Sequence, residues 1–287
     1  MTEQELDQQR AANWRTDGNA VRTIEDARSF LDAVGFCLLY PERSLRLVPS
    51  FMGAYVGSAA GLPDAKRAFA DPRAQDATAL MVRLLREKAA FELNLSGDTS
   101  LIVSASLFPY FYALIGDRTP KAPPTKKAQG AAVSELAVHV FAALKKSGPL
   151  SKSQLQAQVA RETSLTALDR ALGELWSILK ITRVGYTPAE GAQWDVLYRW
   201  APEVVKSAID ISQPEAISAL VSRYLEAVVA AEQEEIEQLF SLLTSRSKVR
   251  DAVNMLLQAR ELSFVTVGSK SLIRMTPPPE EQRRRHG

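Results

Sequence analysis

A single cysteine, Cys37, excludes any intrachain disulfide in this chain of 287 residues, which suits a reducing compartment. Two histidines, His139 and His286, leave too few donors for a zinc site, so no metal is expected, and no cofactor either. No apolar run approaches the ~18 residues that a membrane span requires. The N-terminus MTEQELDQQR lacks the basic-then-apolar order of a targeting segment. The expectation is a soluble cytoplasmic protein. An excess of charge of one sign is also missing: a net +2 at a pI of about 8.6 is weakly basic, so the total does not show a strongly electropositive surface and the distribution matters more.

What is present is apolar pattern and local charge asymmetry. With 46% hydrophobic residues the chain can bury a full core, and its length fits two domains or three small units. Residues 121–152 carry Lys121, Lys126, Lys127, Lys145, Lys146 and Lys152 against Glu135 alone. Residues 244–275 carry Arg246, Lys248, Arg250, Arg260, Lys270 and Arg274 against Asp251 and Glu261. A polyanion partner and ordinary solvated helix faces both fit such runs. Glu232, Glu234, Glu235 and Glu237 stand close by in sequence.

The segment GDRTPKAPPTKKAQG, 116–130, breaks the apolar pattern and reads as a linker. Residues 1–21 and 277–287 have no apolar period and read as disordered, the second with a basic tail. After the linker, Val133, Leu136, Ala137, Val140, Phe141 and Leu144 recur at helical spacing, closed by Lys145, Lys146 and Gly148. Ser151 and Gln154 read as a reciprocal cap of the next helix, with Leu150 and Leu155 as its staple. A third helix, capped near Ser164, carries Leu165, Leu168, Leu172, Leu175, Trp176 and Leu179 on one face. The stretch from Lys180 to Trp200 then alternates with period two about a Pro/Gly turn, which reads as a hairpin.

Three helices and a hairpin form the winged-helix arrangement, and the pattern recurs. A shift of 81 residues pairs Val140 with Val221, Leu144 with Leu225, Leu155 with Ile236, Leu168 with Val249 and Leu172 with Val253. Upstream, Thr23 and Asp26 cap a helix, a short one follows Pro49, Leu80 to Leu85 mark a longer one, and AFELNLSGDTSLIVS turns back on itself. The predicted fold is mainly α with short β-hairpins (α+β), as three tandem winged-helix units at 22–115, 131–207 and 208–276.

The stretches EDARSFLDAVGFCLLYPERSLRLVPSF, TSLIVSASLFPYFYALIG and LYRWAPE, taken with the triple repeat, resemble the winged-helix DNA-binding family that includes the bacterial alkylation and crosslink-repair DNA glycosylases. The likeness spans roughly residues 22–275. It implies tandem winged helices around a DNA-binding concavity and, for the enzymes, hydrolysis of the N-glycosidic bond of a damaged base. Those enzymes carry a Gln-x-Gln or Gln-x-Asp pair in the first unit to handle the attacking water. The matching stretch here reads Gly35-Phe36-Cys37-Leu38-Leu39-Tyr40, so Cys37 and Leu39, or Leu38 and Tyr40, stand where the pair should be. An apolar residue cannot position a water.

Three readings follow. The first is a protein that binds duplex or damaged double-stranded DNA without glycosylase chemistry. The second is an active N-glycosylase with Tyr40, Glu92 or Asp98 in place of the glutamines, and the third is a winged-helix scaffold for protein contact. Gln154, Gln156 and Gln158 do not restore the pair, because on a helix neighbours two apart diverge. For DNA contact, third helices and wings nominate Arg246, Lys248, Arg250 and Lys270 in the last unit, and Arg170 and Arg183 in the central one.

Overall fold

The structure, a computed structural model, describes residues 1–96, 99–127, 130–159, 164–187 and 189–278. Helix α1 (Glu3–Asn13) comes first, and three stretches of chain then build one pattern. In the first stretch, α2 (Ile24–Val34), β1 (Phe36–Leu38), α3 (Phe51–Val56) and α4 (Pro72–Arg86) lead into the hairpin β2 (Ala90–Ser96) and β3 (Thr99–Ser104), closed by α5 (Phe108–Ile115). In the second, α6 (Glu135–Ser147), β4 (Leu150–Ser151), α7 (Lys152–Val159) and α8 (Leu165–Ser177) lead into β5 (Ile181–Thr187) and β6 (Gly191–Val196). Helices α9 (Leu197–Trp200) and α10 (Pro202–Ile209) follow. In the third, α11 (Gln213–Val228), α12 (Gln233–Phe240) and α13 (Arg246–Gln258) lead into β7 (Leu262–Val267) and β8 (Lys270–Met275).

The repeat extends to strand pairing. The short strand after the first helix crosses to the second arm of the hairpin each time: β1 pairs antiparallel with β3, and β4 with β6. In the third stretch Ala231 makes a single antiparallel bridge to Ile273 of β8. The chain is thus mainly α with short antiparallel hairpins, as the apolar periods predict.

Local chemistry sets the helix starts. Thr23 and Asp26 form a capping box on α2, Ser134 and Ser164 cap α6 and α8, and Ser212 with Glu215 boxes α11. Ser151 N–H donates to Gln154 Oε1 at 3.0 Å and Gln154 N–H to Ser151 Oγ at 3.3 Å, the reciprocal cap read from the sequence. Leu150 and Ser151 are also extended and pair with Trp194 and Gln193. A strand of two residues leaves no period to read.

One apolar core runs through all three stretches. At its centre Phe36 of β1 lies edge-on to Phe111 of α5 at 5.6 Å, stacks on Tyr224 of α11 at 6.3 Å, and meets Phe240 of α12 edge-on at 6.3 Å. Such ring pairs add about 0.5–1.5 kcal/mol each beyond the area they bury. Gly35 lets α11 come this close: its φ is +77°, and a Cβ there would stand 2.4 Å from Arg223 Cγ.

Two expectations need correction. Residues 1–21 are not without structure, because α1 carries a Thr2–Glu5 capping box and lies on α11. Arg10 donates to Val228 O at 3.0 Å and Ala230 O at 2.6 Å, and Trp14 Nε1 to Ala227 O at 3.0 Å. These side chains satisfy carbonyls that the end of α11 leaves open. Leu6 packs with Ala230, Val267 and Leu272. Further on, Gly18 N–H bonds Gly57 O and Val21 N–H bonds Ala54 O, so one arm ties the third stretch to the first.

The segment 116–130 is likewise no loose linker in its described part. Lys180, fully buried, donates to Thr119 O at 2.5 Å and Ala122 O at 2.7 Å, and meets Asp117 Oδ2 at 3.0 Å. Arg118 donates to carbonyls of Ala113, Ala208, Ile209 and Ile211. Proline and glycine exclude helix and strand here; they say nothing against buried anchors from elsewhere in the chain. The tail expected at 277–287 falls, for 279–287, outside the described residues.

Candidate nucleic-acid interface

The basic residues of the last stretch come together as their spacing predicts, at the start of α13 and on the adjoining hairpin, but each meets an acceptor inside the protein. Glu237 of α12 is 3% exposed. It accepts from Arg246 Nε at 2.6 Å, from Arg250 Nε and Nη2 at 3.0 Å each, and from Gln233 Nε2 at 3.0 Å. The bonds from Arg250, then those from Arg246 and Gln233, outweigh burial and hold this carboxyl at about 2. Lys248 Nζ donates to Gln213 Oε1 at 2.6 Å, and Lys270 Nζ pairs with Glu232 Oε1 at 2.6 Å. The acidic run of α12 therefore faces the basic run of α13 and β8 and largely cancels it.

The central stretch separates its two candidates. Arg170 on α8 is exposed and, among the described residues, forms no ion pair, while Asp169 beside it is taken by Lys152 at 2.5 Å. Arg183 is corrected from a free wing cation to part of a junction. Its guanidinium lies 4.5 Å from the Trp176 ring centre and 5.1 Å from that of Trp194, and Nη1 donates to Glu92 Oε1 at 2.9 Å. Trp176 Nε1 donates to Glu92 O at 3.0 Å. Glu92, on β2 and 2% exposed, thereby joins the first hairpin to the second and faces no opening. As a catalytic candidate it is already committed. Asp98 lies outside the described residues.

In the first stretch, Cys37 to Tyr40, the residues that the sequence resemblance sets against the polar pair, lie at the end of β1 and just beyond it. Cys37 and Leu38 are enclosed, and burial pushes the Cys37 thiol far above its ordinary value. Leu39 N–H bonds Ser100 O at 3.0 Å, and the Tyr40 hydroxyl lies 3.1 Å from Thr78 Oγ1 of α4. Where β1 ends, a cleft of about 420 Å³ opens, lined by Tyr40, Glu42, Arg43, Asp64, Lys66 and Thr99 among others. Sequence reading reached Tyr40 but missed Glu42, Arg43, Asp64 and Lys66. The available signal was length: residues 57–71 separate α3 from α4, whereas only 241–245 separate α12 from α13. On α5, Phe111 and Tyr112 are buried, and the Tyr112 hydroxyl donates to Asp117 O at 2.6 Å.

A helical chain whose core is threaded by three small hairpins is also the fold of a solved DNA glycosylase. The Streptomyces sahachiroi DNA glycosylase AlkZ superposes with a TM-score of 0.56 at 15% identity, over 96% of this chain and 71% of that one. At such identity the likeness is one of fold. The profile of the family described as "DNA glycosylase AlkZ-like" matches residues 66–285, more than half of the chain. The chain belongs to that family, and so to a group of DNA-repair-related DNA-binding proteins. No curated protein matches the sequence. Among the described residues no group of three or more potential ligands could hold a metal ion, and no helix is long and apolar enough to cross a membrane.

Proposed function

We propose that this chain binds duplex or damaged DNA in the cytoplasm through tandem winged helices, and that it does so without the water-directed base release of the family's enzymes. The observation that carries this reading is β1. Cys37 is fully enclosed, with its thiol held protonated, Leu38 is buried, and Leu39 offers no polar atom. No pair of polar side chains stands there to orient a water and steady an oxocarbenium-like centre: Tyr40 alone brings a hydroxyl, and that hydroxyl meets Thr78 Oγ1 at 3.1 Å. The repeated helix–strand–helix–helix–hairpin order supports the winged-helix assignment.

One observation favours a second reading, an N-glycosylase with relocated groups. The cleft at the end of β1 is lined by Tyr40, at one position of the missing pair, and by Glu42 and Asp64. The test incubates purified protein with duplex oligonucleotides bearing alkylated bases or a crosslink and scores binding and base release together. Binding with release no higher than in the protein-free control is the expected result. Release abolished by Glu42→Gln or Asp64→Asn, with binding retained, would install the second reading. Failure to bind any duplex at low salt would leave the scaffold reading.

A further inference from the structure

We propose that Phe69 is a wedge that stacks into duplex DNA at a distorted base step, with the cations around it holding the phosphates on either side. This rests on the DNA-binding reading above and adds the residue and the kind of DNA it selects. The segment between α3 and α4, residues 57–71, is about three times as long as its counterpart between α12 and α13, 241–245. Its added length carries a 3-10 turn at Ala68–Ala70, and on that turn Phe69 is 81% exposed, more than any other large apolar side chain in the structure.

The ring is presented from an anchored turn. Ala68 beside it is buried, Gln75 Nε2 donates to Phe69 O at 3.1 Å, and the Asp64 carboxylate accepts Arg67 N–H at 3.0 Å. A phenyl held outward at this exposure loses the contribution it would make in a core. Its surroundings are also unlike those of α13. Lys66 and Arg67, three and two residues before the ring, are exposed and, among the described residues, neither forms an ion pair; of the carboxylates on the same turn, Asp64 caps Arg67 N–H and Asp71 is held by Arg73. Uncommitted cations are what phosphate contact requires. A flat apolar ring among them is what enters a weakened base step, as apolar wedges do in proteins that kink DNA. The cations favour a polyanion over an apolar protein surface as the occupant.

The experiment uses the full chain and two duplexes of one sequence, fully paired or with a central mismatched thymine. It measures affinity for each and permanganate oxidation of that thymine, which reports unstacking. The parent is expected to prefer the mismatched duplex and to enhance oxidation. Phe69→Ala should bind the paired duplex as the parent does, with unchanged far-ultraviolet helicity, while its preference falls on the order of tenfold and the enhancement disappears. Phe69→Trp should keep both. Lys66→Ala with Arg67→Ala should weaken both duplexes alike and lessen the salt slope by about two. A Phe69→Ala protein with the parent's preference and oxidation pattern overturns the wedge and leaves the DNA-binding reading standing. A parent that binds neither duplex at low salt overturns both.

Discussion

Arg250 grips Glu237 at two points, Nε to Oε1 and Nη2 to Oε2, both at 3.0 Å. Arg246 holds the same carboxylate from its other side at 2.6 Å. A buried carboxylate held this way is an internal anchor between α12 and α13, and it takes the donors that a phosphate would need. The arginines at the start of α13 are then poor measures of DNA contact in this chain.

The double variant Arg246→Ala/Arg250→Ala is therefore expected to act on stability first. It strands a buried carboxylate, so the thermal midpoint should fall clearly. The slope of log affinity against log salt should change by less than about one unit, against nearly two for a pair of free phosphate contacts. Melting curves and binding titrations at several salt concentrations check both halves. A loss of two slope units with an unchanged midpoint would return this face to the DNA.

Glu237 also gives a pH dependence with a definite sign. Its carboxyl ordinarily titrates near 4.5 and is held at about 2 in the fold. A depressed carboxyl stabilises the folded state above the unfolded value, and that contribution is lost as pH falls through the folded one. Denaturation midpoints of the parent should drop between pH 4.5 and 2 more steeply than those of Glu237→Gln, which lacks the titrating group. Parallel curves would show that the arginine grip contributes nothing.

Glu92 and Arg183 should behave as a junction. Glu92→Ala leaves Arg183 between two tryptophans without its carboxylate, at an expected cost of about 1–2 kcal/mol, below that of a fully buried pair because water still reaches the guanidinium. The double mutant with Arg183→Ala should recover part of that loss, a coupling above about 1 kcal/mol by urea unfolding. A Glu92→Ala protein of parental stability, altered only in DNA handling, would make Glu92 functional after all.

How far the sequence could be read follows from the length of each signal. Helices such as α2, α6 and α8 bury four or more residues at regular spacing and start at a capping side chain, so period and cap agree. Strands β1 and β4, three and two residues long, present no period and emerge only from pairing with β3 and β6. Helix α1 buries Leu6 alone and depends on Arg10, Asn13 and Trp14 reaching carbonyls more than 200 residues away. The basic cluster was legible as charge. Its neutralisation was not, because the pairing of Glu237 with Arg246 and Arg250 is set by how α12 crosses α13. The cleft was hidden for the same reason: Tyr40, Asp64 and Thr99 meet only once the first hairpin folds over β1.

The last expectation concerns the segment after α5, whose composition suggests easy cleavage. Lys180 is enclosed and holds Thr119 O, Ala122 O and Asp117 at once, and burial draws its ammonium below the ordinary lysine value even against Asp117, which acts upward. Proteolysis of a native protein proceeds through locally opened states, so its rate follows the free energy of opening. With three acceptors on one buried ammonium, the stretch 117–122 should resist trypsin at Arg118 and Lys121 in the parent. Lys180→Met keeps the apolar stem and removes every donor. It should raise the rate of cleavage there by at least about tenfold, since the donors to three acceptors are lost together. Circular dichroism should show unchanged helicity, because α6 and α8 pack through Leu144, Leu168 and Leu172 without this lysine. Mass spectrometry of early fragments locates the cut. Equal rates in parent and variant, or first cleavage of the variant elsewhere, would mean that the segment is held by Arg118 alone.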